Sequence, residues 1–141
     1  MIRDIVTDTT FLARPATDAD PSDPLDAALG RDLADTLKAN RERCVGMAAN
    51  MIGGDRRVIA FVDQELGGVT VMFNPRITAA DGLYDTSEGC LSLHGERRTT
   101  RARRIEVDYV TRTGKPRHTA FTGYTAQIVQ HEVDHCDGVL I

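Results

Sequence analysis

The chain has 141 residues, 41% of them hydrophobic and 27% charged, and a formal net charge of −4. That is one domain's length, expected as a single domain over 1–141, with enough apolar material for a core, which excludes general disorder. No segment approaches the roughly 20 apolar residues of a membrane span, and the acidic balance argues against binding DNA or RNA through overall charge.

The opening residues, Met1 to Asp8, carry acid early and do not read as a secretory signal. With three cysteines and no signal, the expected setting is a reducing cytoplasm. There a cysteine is a core residue, a nucleophile or a metal ligand.

In chain order, residues 15–24 are rich in proline and acid and predict an exposed loop. Asp23-Pro24 then supplies a cap and a first helical residue. Leu25, Leu29, Leu33 and Leu37 recur every four residues, predicting a helix over 24–43 with a leucine core face. Arg31, Asp32, Lys38, Arg41 and Glu42 fall on its solvent side. The small residues of Cys44–Gly53 fit either of two readings: a backbone approached closely by an extended peptide, or a tight helix-to-strand turn.

Strands are expected over 57–62 and 69–73, with a turn at 64–68, and Asn74-Pro75 is expected to end the second. Asp81-Gly82 reads as another turn. Ile105, Val107, Tyr109 and Thr111 alternate with Arg104, Glu106, Asp108 and Val110, as a half-buried strand requires. Thr113–Pro116 turns the chain back into a hairpin partner at 118–122. From Tyr124 to Cys136 the pattern is helical again. The order predicts an α+β fold with a mainly antiparallel sheet, an N-terminal helix and a C-terminal helix.

That last helix holds Gln130-His131-Glu132-Val133-Asp134-His135, an HExxH sequence. Residues i and i+4 share a helical face, so both imidazoles reach one metal ion. Glu132 projects beside that face, where it can take a proton from an activated water and return it. Asp134 either orients a ligand imidazole or is a solvated carboxylate. A third ligand is needed, and Cys90, within Ser87-Glu88-Gly89-Cys90-Leu91-Ser92, is the best candidate. Cys136, next to His135 and about 100° around the helix, reads as packing. Cys44 is undecided.

Together these segments resemble the peptide deformylase family, in which GxGLAAxQ, EGCLS and QHExDH occur in this order. EGCLS is complete at Glu88–Ser92 and QHExDH at Gln130–His135. The resemblance implies that Cys90, His131 and His135 bind one divalent metal, Fe²⁺ with Zn²⁺, Ni²⁺ or Co²⁺ as substitutes. It further implies Glu132 as general base and acid, and the Leu91 N–H as an oxyanion donor. The implied reaction removes the formyl group from formylmethionine at the N-termini of nascent chains. Val45, Gly46, Met51, Glu88, Gly89, Tyr124 and Ile128 match positions along the family's substrate groove.

The first motif departs from the family. Cys44 replaces a glycine, and Met51 replaces the glutamine whose amide stabilises the oxyanion; a thioether has no donor. Either the Asn50 amide or a water takes that role, or turnover is reduced. The alternative function is a weak or inactive relative that holds formylated or modified peptide N-termini. Arg97, Arg98, Arg101, Arg103 and Arg104 follow EGCLS closely. They read as contacts to the ribosome, or as a solvated strand edge with Arg101 or Arg104 pairing Glu88. Familiar members of the family continue past the motif helix, so Gly138–Ile141 is expected to close the fold.

Overall fold

The structure is a computed structural model and describes residues 1–64 and 66–141. A short helix α1 (Thr9–Leu12) precedes α2 (Pro24–Ala39). The Asp23 side chain accepts hydrogen bonds from Leu25 N and Asp26 N, satisfying first-turn donors of α2. Leu29, Leu33 and Leu37 are buried, but Leu25 is 80% exposed. A four-residue step overshoots a full turn by about 40°, so over three steps the stripe rotates by roughly 120° and its first leucine faces water. The helix stops at Ala39 rather than 43, where the Asn40 amide turns back to Thr36 O at 2.8 Å.

Strands β1 (Gly46–Ala48), β2 (Val58–Val62), β3 (Val69–Cys90), β4 (Leu93–Val110) and β5 (Pro116–Thr122) form one sheet in sequence order. Every neighbouring pair is antiparallel. A single 3₁₀ turn, Ala49–Ile52, follows β1. Side-chain alternation sends Val58, Ala60 and Val62 into a cluster with the α2 leucines. Ile59 and Phe61 point the other way, into a cluster with Ala126, Val129 and Val133 of α3 (Gly123–Cys136). Helices thus cover opposite faces of β2. No helix among the described residues is long and apolar enough to cross a membrane.

An expected strand end and an expected turn both lie inside β3. Asn74 adopts φ 55° and the register with β4 shifts between Phe73 and Arg76, so Asn74-Pro75 bulges the strand without ending it. The Asn74 side chain holds the bulge by accepting from Ala19 N at 2.7 Å and donating to Ala19 O at 2.8 Å. Asp81-Gly82 also stays in the ladder, with Asp81 opposite Arg104 and Gly82 at φ 73°. The expected turn at 64–68 includes Glu65, which lies outside the described residues. Beyond α3, Gly138 takes φ 76° and Val139 N donates to Asp134 O at 2.9 Å, folding the tail back on the helix.

The result of this topology is positional. The long β3–β4 hairpin brings Cys90 at its tip end to α3, and ten of the fourteen α3 residues are buried. Gln130 locks the helix to β4 by accepting from Ala102 N at 2.8 Å and donating to Ala102 O at 2.9 Å.

Candidate active site

On α3 the His131 and His135 rings lie with centroids 4.9 Å apart, and their Nε2 atoms are 3.2 Å apart. Cys90 Sγ sits 3.5 Å from His135 Nε2. One donor atom from each of the three residues lies within 4.8 Å of the others. This set fits a divalent cation: one sulfur and two imidazole nitrogens converge, and three protein ligands leave a coordination position open. His131 Nδ1 donates to Glu88 Oε1 at 2.7 Å, which leaves Nε2 as the atom that could face a cation. Burial opposes charge on His131, but Glu132, Cys90 and Glu88 outweigh it and hold its pKa up at about 10. Burial and the charge on His131 push His135 down to about 3. Without metal, therefore, the pair shares a positive charge that a cation would displace.

Glu132 is 4% exposed, and its Oε1 has no hydrogen-bond partner among the described residues. Burial raises its pKa to about 7 in spite of the opposing pull of His131. A carboxylate in that range can both accept and return a proton near neutrality. Its place against β1 depends on Gly46: a Cβ there would lie 2.8 Å from Glu132 Oε2 and 2.7 Å from Ile128 Cγ2. Gly46→Ala is expected to lower kcat by about 100-fold, because it displaces the carboxylate by a fraction of a bond length. Metal content should stay unchanged, and an unaltered kcat would show that Glu132 tolerates the shift.

Beneath His131, Glu88 accepts from Arg101 Nε at 3.0 Å, Arg101 Nη2 at 2.7 Å and Gln127 Nε2 at 2.9 Å as well. Burial works to raise the Glu88 pKa, but the bonds from His131, Arg101 and Gln127 prevail and hold it at about 2. Arg101 is 4% exposed and spends its remaining arm on Asp134, at 2.6 Å. Asp134 therefore reaches the ligands only through Arg101 and does not touch an imidazole. Removing one member of a buried ion pair strands the other. Arg101→Met is expected to cost about 3–5 kcal/mol of stability. It should also weaken metal binding by roughly 10–100-fold. Denaturant unfolding and chelator competition measure the two effects separately.

A cavity of about 530 Å³ opens beside this cluster and is lined by Cys90, His131 and Glu132. All the residues expected along the substrate groove border it, Val45, Gly46, Met51, Glu88, Gly89, Tyr124 and Ile128, and so does Leu91, expected as the oxyanion donor. Tyr124 is 53% exposed at the mouth. Cys44 is here too; its thiol donates to Gly46 O at 2.8 Å, and burial with the Glu132 charge pushes its pKa up to about 12. Asn50, by contrast, is turned away. Its amide nitrogen is committed to Leu12 O at 3.3 Å and His135 O at 3.0 Å, so it cannot replace the missing glutamine. Cys136 is buried packing, as expected.

The model of the polypeptide deformylase family matches residues 2–141. The chain belongs to that family. A peptide deformylase from Clostridium beijerinckii is 44% identical over 141 residues, covering all of both chains. Among solved structures, a class I type b deformylase from Acinetobacter baumannii with Met-Ala-Ser bound superimposes with a TM-score of 0.87. It is 27% identical and the match covers 99% of this chain and 97% of that one. The deformylase from Thermus thermophilus gives a TM-score of 0.84 at 35% identity, over 99% of this chain and 83% of the other. The antiparallel sheet and C-terminal helix are thus a deformylase fold, and the chain is a deformylase, removing the N-formyl group from nascent polypeptides. Of the residues around the site, nothing in the sequence points to Gln127, whose amide acts across 39 residues of chain, or to the contact of Gln130 across 28.

Proposed function

We propose that this deformylase works through Cys90, His131 and His135 as ligands of one divalent ion, Fe²⁺ in the bacterial cytoplasm, and through Glu132 as its proton carrier. Bound there, the ion supplies Lewis acidity, acidifying water and polarising a carbonyl. The peptide enters along the cavity edge formed by Val45 and Gly46. β1 is the edge strand of the sheet, where an extended chain can pair alongside it, sharing Gly46 O with the Cys44 thiol. Glu132 takes the proton from the attacking water and delivers it to the departing amine. The Leu91 N–H, which makes no hydrogen bond among the described residues, serves the oxyanion that forms as the formyl carbon becomes tetrahedral. Glu88 keeps His131 in one tautomer throughout.

The observation that carries this reading is the partnerless Glu132 carboxylate, buried beside three converging ligand atoms at the wall of an open cavity. Anaerobically prepared, Fe²⁺-loaded protein should release formate from formyl-Met-Ala-Ser. A chelator should abolish this and added Fe²⁺ or Co²⁺ restore it. Formate release that persists after the metal is stripped would overturn the assignment.

A further inference from the structure

One wall of the cavity carries a polar group that a pocket for a hydrocarbon-like side chain does not call for. Tyr124, Gln127, Ile128 and His131 all line it from α3, at the spacing of a single helical stripe. Gln127 is a primary amide in the middle of that stripe.

Its partners dictate its orientation. Both Glu88 oxygens face donors of the Arg101 guanidinium, at 3.0 and 2.7 Å, so Glu88 acts as the acceptor and takes an amide hydrogen from Gln127 Nε2 at 2.9 Å. The Tyr84 hydroxyl donates to Gln127 Oε1 at 3.3 Å. Tyr84 is itself covered by the Arg103 guanidinium, whose carbon lies 4.8 Å from the ring centroid. Flipping the amide would set its oxygen against the Glu88 carboxylate, so the arrangement has one stable sense. An amide nitrogen carries two hydrogens. The second has no partner among the described residues, on a half-buried side chain at the cavity wall.

We propose that Gln127 is a specificity residue that selects N-formyl peptides whose first side chain places a hydrogen-bond acceptor, such as the oxygen of methionine sulfoxide, against this amide. The proposal rests on the deformylase mechanism above and names the side-chain class its cavity prefers. A hydrocarbon side chain of the same length covers the amide hydrogen and leaves it unpaired, which is the costly outcome for a buried donor. Sites that hydrogen-bond a substrate group discriminate far more strongly than sites that only measure its length. Methionine, whose thioether is a weak acceptor, falls between the two.

The test compares kcat/KM of the metal-loaded enzyme on three peptides: formyl-norleucyl-Ala-Ser, formyl-Met-Ala-Ser and the methionine sulfoxide form of the latter. Each variant serves as its own reference, because only the ratio between substrates is read. In the wild type, sulfoxide should exceed norleucine by about 10-fold or more, mainly through KM. Gln127→Leu should bring that ratio to one or below, and Tyr84→Phe, which frees the amide to rotate, should give an intermediate value. A wild-type preference for norleucine, or the same ratio in Gln127→Leu, overturns the proposal. If the wild type releases formate from none of the three, the mechanism above fails instead. The specificity is then read by calorimetry with the unformylated peptides, where tighter sulfoxide binding that is lost in Gln127→Leu supports it and equal binding rejects it.

Discussion

Glu132→Gln is expected to lower formate release by 10²–10⁴-fold while the protein keeps its metal. Gln matches Glu in shape, so it still fits against Gly46. What disappears is the capacity to hold a proton between the attacking water and the leaving amine. The loss should fall on kcat, with KM little changed, because a proton carrier as proposed for Glu132 acts on the reacting atoms and not on the peptide chain.

The same substitution has a second expected effect, on stability. The Glu132 pKa in the metal-free fold is about 7 against 4.5 for a free carboxyl. The folded state then binds more protons than the unfolded state between those values, so stability falls as pH rises through that window. Above pH 7 the folded protein bears the whole cost of a buried carboxylate; below pH 4.5 it bears none. Glu132→Gln should therefore melt higher than the wild type at pH 8 and about equally at pH 4.5, both stripped of metal. A melting difference independent of pH would show that the carboxylate is not forced to ionise in the fold.

These effects trace to the features that were easiest to read from the chain. HExxH was legible because helical spacing alone puts His131 and His135 side by side, and EGCLS because Cys90 stands among glycine and polar residues. The carboxylate beneath them was harder. Arg101 and Arg104 are equally plausible partners for Glu88 along one strand, and only the β3–β4 register turns Arg101 inward while Arg104 pairs with Glu106 at 3.0 Å. Gln127 and Tyr84 meet across 43 residues, and no local pattern announces such a contact. Asn74-Pro75 and Asp81-Gly82 misled for a related reason. Their backbone preferences suit a turn, but a long strand absorbs the same conformations, as a bulge at Asn74-Pro75 and in register at Gly82, and tertiary pairing decides between them. Leu25 shows the limit of periodicity itself: the repeat is regular, yet its four-residue step drifts around the helix and leaves the first leucine in water.

Met51→Gln is expected to raise kcat by 10²–10³-fold, the range by which a single oxyanion donor changes turnover in enzymes where one has been removed. Met51 is 1% exposed, packs in the α2-side cluster and borders the cavity. Glutamine is close to methionine in length, so it can follow the same path and bring an amide to the cavity wall. The backbone there needs no change, since Met51 O already accepts from Val6 N at 2.8 Å whatever the side chain. With Asn50 held by Leu12 O and His135 O, no other side-chain amide in this turn competes for the position. The gain should appear in kcat, because the oxyanion exists only after attack, whereas the affinity for unformylated Met-Ala-Ser should hardly move. Part of the benefit will be offset in stability, as burying an amide beside Leu29 and Val58 costs roughly 1–3 kcal/mol. A fall in kcat at unchanged metal content would mean that the site has been reshaped around the thioether. The oxyanion would then depend on the Leu91 N–H and on water held where the glutamine of other deformylases stands.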